Sequence, residues 1–144
     1  EYFGFGPHEN YIDRNSSALM GHYVQRVEDQ YHYGYVRPQE SGNKSDVRWL
    51  ELTNDEGIGI RVEGLQPLSV SAMPYRSEDL DPGLGSKKQM HYSDIEPRRE
   101  VVLHVDLAQR GLGGDDSWGA VPHEQYRLEA DTYEYGYVIR PIAK

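Results

Sequence analysis

The sequence predicts an all-β fold of short antiparallel strands, a sandwich or a barrel, with at most short helices. Apolar and polar residues alternate with period two over several stretches, the mark of half-buried strands. Clusters of Gly, Pro, Asn and Asp separate those stretches. Helical spacing is confined to two brief segments. A length of 144 residues suits one domain.

Taken in order, Asn15 to Val27 places Leu19, Tyr23 and Val27 at i, i+4 and i+8, which predicts a helix weakened by Gly21. Tyr31-His32-Tyr33-Gly34-Tyr35 carries aromatic residues along one edge, a packing ridge in preference to a sugar-facing one. Val47 to Thr53 reads as a strand. Asn54-Asp55-Glu56-Gly57 then has the length of a hairpin loop. Ile58, Ile60 and Val62 alternate around Gly59 and Arg61, and Leu68, Val70 and Ala72 alternate with Ser69 and Ser71. Ser77-Glu78-Asp79-Leu80 suits a single helical turn. Residues 76–100 carry Asp81-Pro82-Gly83, Gly85-Ser86-Lys87-Lys88 and Glu96-Pro97 but no strand pattern. A connection of that length is expected to be functional or packed against something else. Val101, Leu103, Val105 and Leu107 alternate with Val102, His104, Asp106 and Ala108, and Tyr133, Tyr135, Tyr137 and Ile139 with Glu134, Gly136, Val138 and Arg140.

Composition removes several classes. Twenty-four acidic and fifteen basic residues leave a net charge of −9. Such a surface repels phosphate backbones, so no nucleic-acid partner is expected. No apolar run approaches the ~20 residues of a membrane helix, so no membrane partner is expected either. No basic start precedes an apolar stretch in the manner of a signal peptide, and the chain opens on Glu1 as if earlier residues preceded it. The absence of cysteine excludes disulfides, zinc–thiolate sites and thiol catalysis.

The sharpest chemical feature is Gly113-Gly114-Asp115-Asp116-Ser117-Trp118-Gly119. Paired glycines permit positive φ and expose backbone N–H groups. Trp118 on such a turn is either a buried core residue or an indole with one face open to a sugar ring. Asp115 and Asp116 do not suit a glycosidase pair. Such a pair must flank one bond with carboxyls roughly 5–9.5 Å apart, whereas adjacent residues in extended chain point to opposite faces. Capping or Asx-turn bonding is the expected role of either aspartate. His8, His22, His32, His91, His104 and His123 show no metal-ligand spacing, so no metal site is expected; His104 on a polar strand face reads as solvated. No serine sits in a Gly-x-Ser-x-Gly elbow.

Three longer motifs carry a resemblance. Tyr2-Phe3-Gly4-Phe5-Gly6-Pro7-His8-Glu9-Asn10-Tyr11-Ile12-Asp13-Arg14 is similar to a Gly-x-Gly-Pro-x-Glu-x-Tyr-x-Asp-Arg signature. Pro38-Gln39-Glu40-Ser41-Gly42-Asn43, running on to Asp46-Val47-Arg48-Trp49, is similar to a second, and Gly111-Leu112-Gly113-Gly114-Asp115-Asp116-Ser117-Trp118 to a third. In this order they make the chain resemble, over essentially all its length, the C-terminal end of bacterial β-galactosidases of glycoside hydrolase family 2. Residues 81–92 depart from members that carry a helix there.

The resemblance implies an antiparallel β-sandwich, half of a supersandwich like that of galactose mutarotase, with residues 1–144 forming a single domain or half-domain. The other half is expected elsewhere. Both catalytic glutamates of the retaining β-galactosidase are expected in a separate barrel, so this chain alone is expected to be inactive. Trp118 is expected to stack on the β-galactoside, with Gly113, Gly114, Asp115 and Asp116 shaping its loop. No cofactor is expected in this chain; any magnesium or sodium used by the parent enzyme would be bound by other domains. The expected partners are those domains, the sugar, and further copies of the parent in a homo-oligomer. Either bacterial cytoplasm or periplasm is compatible. Two other readings stand beside this one: a stand-alone carbohydrate-binding sandwich, and a purely structural or oligomerisation segment.

Overall fold

Period-two patterning draws the chain into one antiparallel sheet. The computed structural model describes residues 1–81, 83, 90–114, 116 and 118–143. Among them are six strands: β1 (Tyr2–Gly6), β2 (Leu19–Tyr23), β3 (Lys44–Thr53), β4 (Ile58–Met73), β5 (Val102–Asp106) and β6 (Tyr137–Ala143). Their order is β2-β1-β3-β4-β5, and β6 also pairs with β4. β6 takes Ile58 to Gly64 of β4, and β5 takes Ser69 to Met73, so the two lie end to end along its outer edge. The protein is all-β and antiparallel, as its alternation predicts.

β4 is the spine, and it differs from the expected pair of short strands. Its two alternating stretches are one continuous strand, interrupted by a bulge. Opposite it, β3 advances only from Val47 to Trp49 while β4 runs from Leu68 back to Glu63. The surplus residues, Gly64 to Pro67, leave the β3 ladder, where Pro67 has no N–H to contribute. Gly136 fastens them: its carbonyl accepts from the Leu65 N–H at 3.0 Å and from Gln66 Nε2 at 3.2 Å, and its N–H donates to Gln66 Oε1 at 3.2 Å. The bulge keeps the strand in phase, so that Val62 before it and Leu68 after it both enter the core.

That core holds Tyr2, Val47, Leu50, Val62, Leu68 and Val70, with Tyr23, Leu52, Ile60, Leu103 and Val105 packed around it. The opposite face is polar. Arg61 pairs with Glu51 at 2.8 Å and lies 4.2 Å from the centre of the Trp49 ring, and Glu63 pairs with both Arg61 and Arg140. One face apolar and one charged is the pattern of an antiparallel sheet covered on one side.

The helix expected over 15–27 is instead β2, followed by a 3-10 turn at Val27–Gln30. Leu19, Gly21 and Tyr23 satisfy period two as well as Leu19, Tyr23 and Val27 satisfy a helical spacing. An open edge on β1 decides between them, and Gly21 sits opposite Gly4 across that ladder. The last strand also starts later than its alternation suggests, at Tyr137, because its partner bulges away at Gly64. Tyr135 instead sends its hydroxyl to the Val105 carbonyl at 3.0 Å. His104 is partnered rather than merely solvated: Nδ1 lies 3.2 Å from the Glu40 carboxylate and 3.3 Å from Ser71 Oγ.

The long connection packs against a second apolar cluster. Ser77–Leu80 forms the expected turn. Leu80 and Ile95 bury themselves with Tyr31, Met73 and Tyr75. Arg98 ties the connection's ends by donating from Nε and Nη2 to the two Asp79 carboxylate oxygens. Residues 82 and 84–89, within the segment that departs from the family pattern, lie outside the described residues.

Leu68, 2% exposed beneath the bulge, is the test of this core. Leu68→Ala should lower unfolding stability by about 2–5 kcal/mol, read from the midpoint of urea denaturation.

Candidate functional site

Two of the three motifs meet in a buried polar hub. Asn10 is 0% exposed and uses its whole amide. Its Nδ2 donates to the Phe5 and His8 carbonyls, both at 3.0 Å. Its Oδ1 accepts from the Ser45 N–H at 2.9 Å and from Ser45 Oγ. Its backbone N–H donates to the Asn43 carbonyl and its carbonyl accepts from Asn43 Nδ2, each at 2.8 Å. Asn43 Oδ1 in turn accepts from Ser69 Oγ of β4 at 3.1 Å. The first motif is thereby bolted to the second and to the spine of the sheet.

Glu9 adds charge to the hub. Its carboxylate accepts from the Tyr35 hydroxyl, from Arg14 Nη2, and from the Gly42 N–H at 2.8 Å. Burial by itself would raise the pKa of this carboxyl. The donors from Tyr35, Gly42 and Arg14 outweigh that and hold it below the ordinary glutamate value. Nearby, burial pulls the Lys44 ammonium down to about 8, partly offset by the charge of Glu9. Lys44 Nζ donates to Gln30 Oε1 at 2.8 Å and to the Gly42 carbonyl at 3.0 Å. Tyr35 therefore serves this carboxylate, while Tyr31 alone of its aromatic run enters the apolar cluster.

The third motif is reached from the first. Tyr11 and Arg14 exchange two backbone hydrogen bonds, 3.2 and 2.9 Å, and so present Asp13 on a tight turn. Asp13 Oδ2 accepts the Gly113 N–H at 2.6 Å, across a separation of 100 residues. Gly111 N–H donates to the Tyr126 carbonyl at 2.7 Å. Further along, Asp116 Oδ1 accepts from the Trp118 N–H at 2.8 Å and the Ala120 N–H at 3.1 Å, an Asx-type cap on the turn. Gly114 and Gly119 take φ of +84° and +101°, the left-handed region open to glycine. Trp118 is 91% exposed at the tip. Asp115 and Ser117 lie outside the described residues.

This arrangement presents an indole on a braced loop. A flat apolar face suits the C–H face of a sugar ring, whereas the Asp116 carboxylate is occupied in holding its own turn. Among the described residues no three His, Asp or Glu side chains gather as a metal site. Of the residues expected from sequence, Gly113, Gly114, Asp116 and Trp118 occupy one loop. Sequence reasoning gave no role to Glu9, Asn10 or Asp13. The first motif was the signal available, but it did not say what those residues bond to.

Residues 1–139 match the family model described as the β-galactosidase small chain. The chain is 37% identical over 142 residues to a β-galactosidase of Priestia megaterium, covering 98% of this chain and 13% of that protein. It is 41% identical over 133 residues to a β-galactosidase of Bifidobacterium adolescentis, covering 90% of this chain and 12% of the relative. A β-galactosidase of Halalkalibacterium halodurans is 36% identical over 132 residues, covering 91% and 12%. The chain thus spans only about an eighth of the length of these relatives.

The lowered pKa of Glu9 fixes a pH dependence. Its bonds stabilise the fold fully above the unfolded glutamate pKa of about 4.3, and that stabilisation is lost as pH falls through the lower folded value. Glu9→Gln should therefore reduce stability at pH 7 and flatten its decline below about pH 4.3, as read from urea denaturation over a pH series.

Proposed function

The chain belongs to the β-galactosidase small chain family, and from that premise we propose that it is the non-catalytic C-terminal segment of a retaining β-galactosidase of glycoside hydrolase family 2. In this reading the enzyme hydrolyses terminal β-D-galactosides, and this segment completes the sugar-binding wall through Trp118. The catalytic glutamates are supplied by a barrel domain outside this chain. The observation that carries the reading is Trp118 itself: an indole 91% exposed, on a loop capped by Asp116 and tied to Asp13. A large aromatic side chain gains little stability from such exposure, so its value lies in what it meets.

The segment's contribution is positional. Stacking fixes the plane of the pyranose as it arrives, and orientation of a reactant relative to distant catalytic groups is a large part of a rate enhancement. A second observation supports the reading of a segment that packs against other domains. Ile58 and Ile139, on the core-side face where β6 runs along β4, are 53% and 54% exposed, apolar surface that the rest of the enzyme is suited to cover.

In the full-length enzyme, Trp118→Ala should raise KM for a β-galactoside about three- to tenfold, the scale of a lost ring contact of about 0.7–1.4 kcal/mol, with a smaller change in kcat. An unchanged KM together with impaired oligomer assembly would replace the sugar-contact reading with a purely structural one.

A further inference from the structure

Gly111 and Gly113 pose a question that turn geometry does not answer. The left-handed φ values of the loop fall at Gly114 and Gly119, not at these two. Asp13 crowds both of them, and Gly111 is crowded by Tyr126 Cβ as well, 2.8 Å from where its own Cβ would stand. A Cβ on Gly111 would stand 2.7 Å from Asp13 Oδ2 and 2.8 Å from its Cγ, and one on Gly113 would stand 3.0 Å from the same oxygen. Contacts that close force something to move. The two glycines are therefore the space that lets a carboxylate from the first motif approach the backbone of the third.

The contact made there is short and charge-assisted, 2.6 Å from the Gly113 N–H to Oδ2. Asp13 is itself braced. Its turn is closed by the reciprocal bonds of Tyr11 and Arg14, and Arg14 is held by Glu9. Yet its other oxygen, Oδ1, is buried and accepts no hydrogen bond among the described residues. A buried unpaired carboxylate oxygen lowers stability, so the fold alone is a poor account of an aspartate here.

We propose that Asp13 is a positioning residue of the sugar site: its carboxylate is the strut that transmits the rigidity of the buried hub to the 111–120 loop and sets where Trp118 stands. The proposal rests on the reading of Trp118 as a sugar contact. Asp13 touches no sugar and acts only through the loop.

The test compares Asp13→Ala, Asp13→Asn, Trp118→Ala and the Asp13→Ala/Trp118→Ala double variant in the full-length enzyme, with kcat and KM measured separately on a chromogenic β-galactoside. Asp13→Ala should raise KM by about the same three- to tenfold as Trp118→Ala with kcat largely kept, because what is lost is placement of a binding group. Asp13→Asn keeps an acceptor for Gly113 and should stay near the parent KM. The double variant should be no worse than Trp118→Ala, since one group acts through the other. A normal KM in Asp13→Ala beside a raised KM in Trp118→Ala overturns the strut and leaves the sugar contact standing. Additive losses in the double variant also overturn it. A neutral Trp118→Ala removes the sugar contact and the strut with it. Should Asp13→Ala fail to fold, Gly113→Ala presses on the same carboxylate from the loop side, with Asp13 the one neighbour within 4 Å of the added Cβ. It must then raise KM likewise, and a normal KM there refutes the proposal.

Discussion

Everything distinctive about this chain hangs on the burial of one neutral amide, that of Asn10. It is fully enclosed, and both its side chain and its backbone are engaged in both directions. A buried polar group is costly unless paired, and once paired it is demanding, because each partner must arrive at a fixed angle. Asn10 therefore fixes the start of β3, through Asn43 and Ser45, relative to the end of β1, through Phe5 and His8. Glu9 beside it does with charge what Asn10 does with neutral bonds, and the ammonium of Lys44 lies in the same field. An apolar plug at either position would fill the space without specifying where the three segments go.

The sheet is built to serve that hub. β4 crosses the whole molecule, and its bulge lets one strand keep its apolar side inward before and after the interruption. β3 has its own irregularity near Asp46, a non-glycine residue at φ 56°. Both departures from a regular ladder lie near the hub's attachments at Ser45 and Ser69. The regular parts of the sheet supply stiffness, and the irregular parts supply the places where polar side chains reach in.

What was legible in the sequence follows from range. Period two is a local property, so β3, β5 and the core face of β4 could be read directly. Gly64-Leu65-Gln66-Pro67 interrupts the alternation without changing its phase, and so makes one strand look like two. Residues 15–27 suggest a helix instead of β2 because Gly21 has no side chain to vote for either period, leaving Leu19, Tyr23 and Val27 at helical spacing. Trp118 could be suspected of exposure from its glycine neighbours. The function of Asp13 could not be suspected at all, because its partner is 100 residues away and only the folded chain brings them together. The motifs marked the first segment as important; the geometry says how its residues bond.

That same separation has a consequence in time. Contacts between residues far apart along the chain wait on the closure of long loops, and they slow folding. The bond from Asp13 to Gly113 spans 100 residues, and the clasp of Gln66 on Gly136 spans 70. At synthesis rates of about 5–20 residues per second, Asp13 waits roughly 5–20 s before Gly113 exists to be bonded. The loop bearing Trp118 is thus among the last parts of this sheet that can be set. The ribosome delivers the brace first and the braced element late, so the tryptophan tip takes its final place only after the hub that aims it has been synthesised.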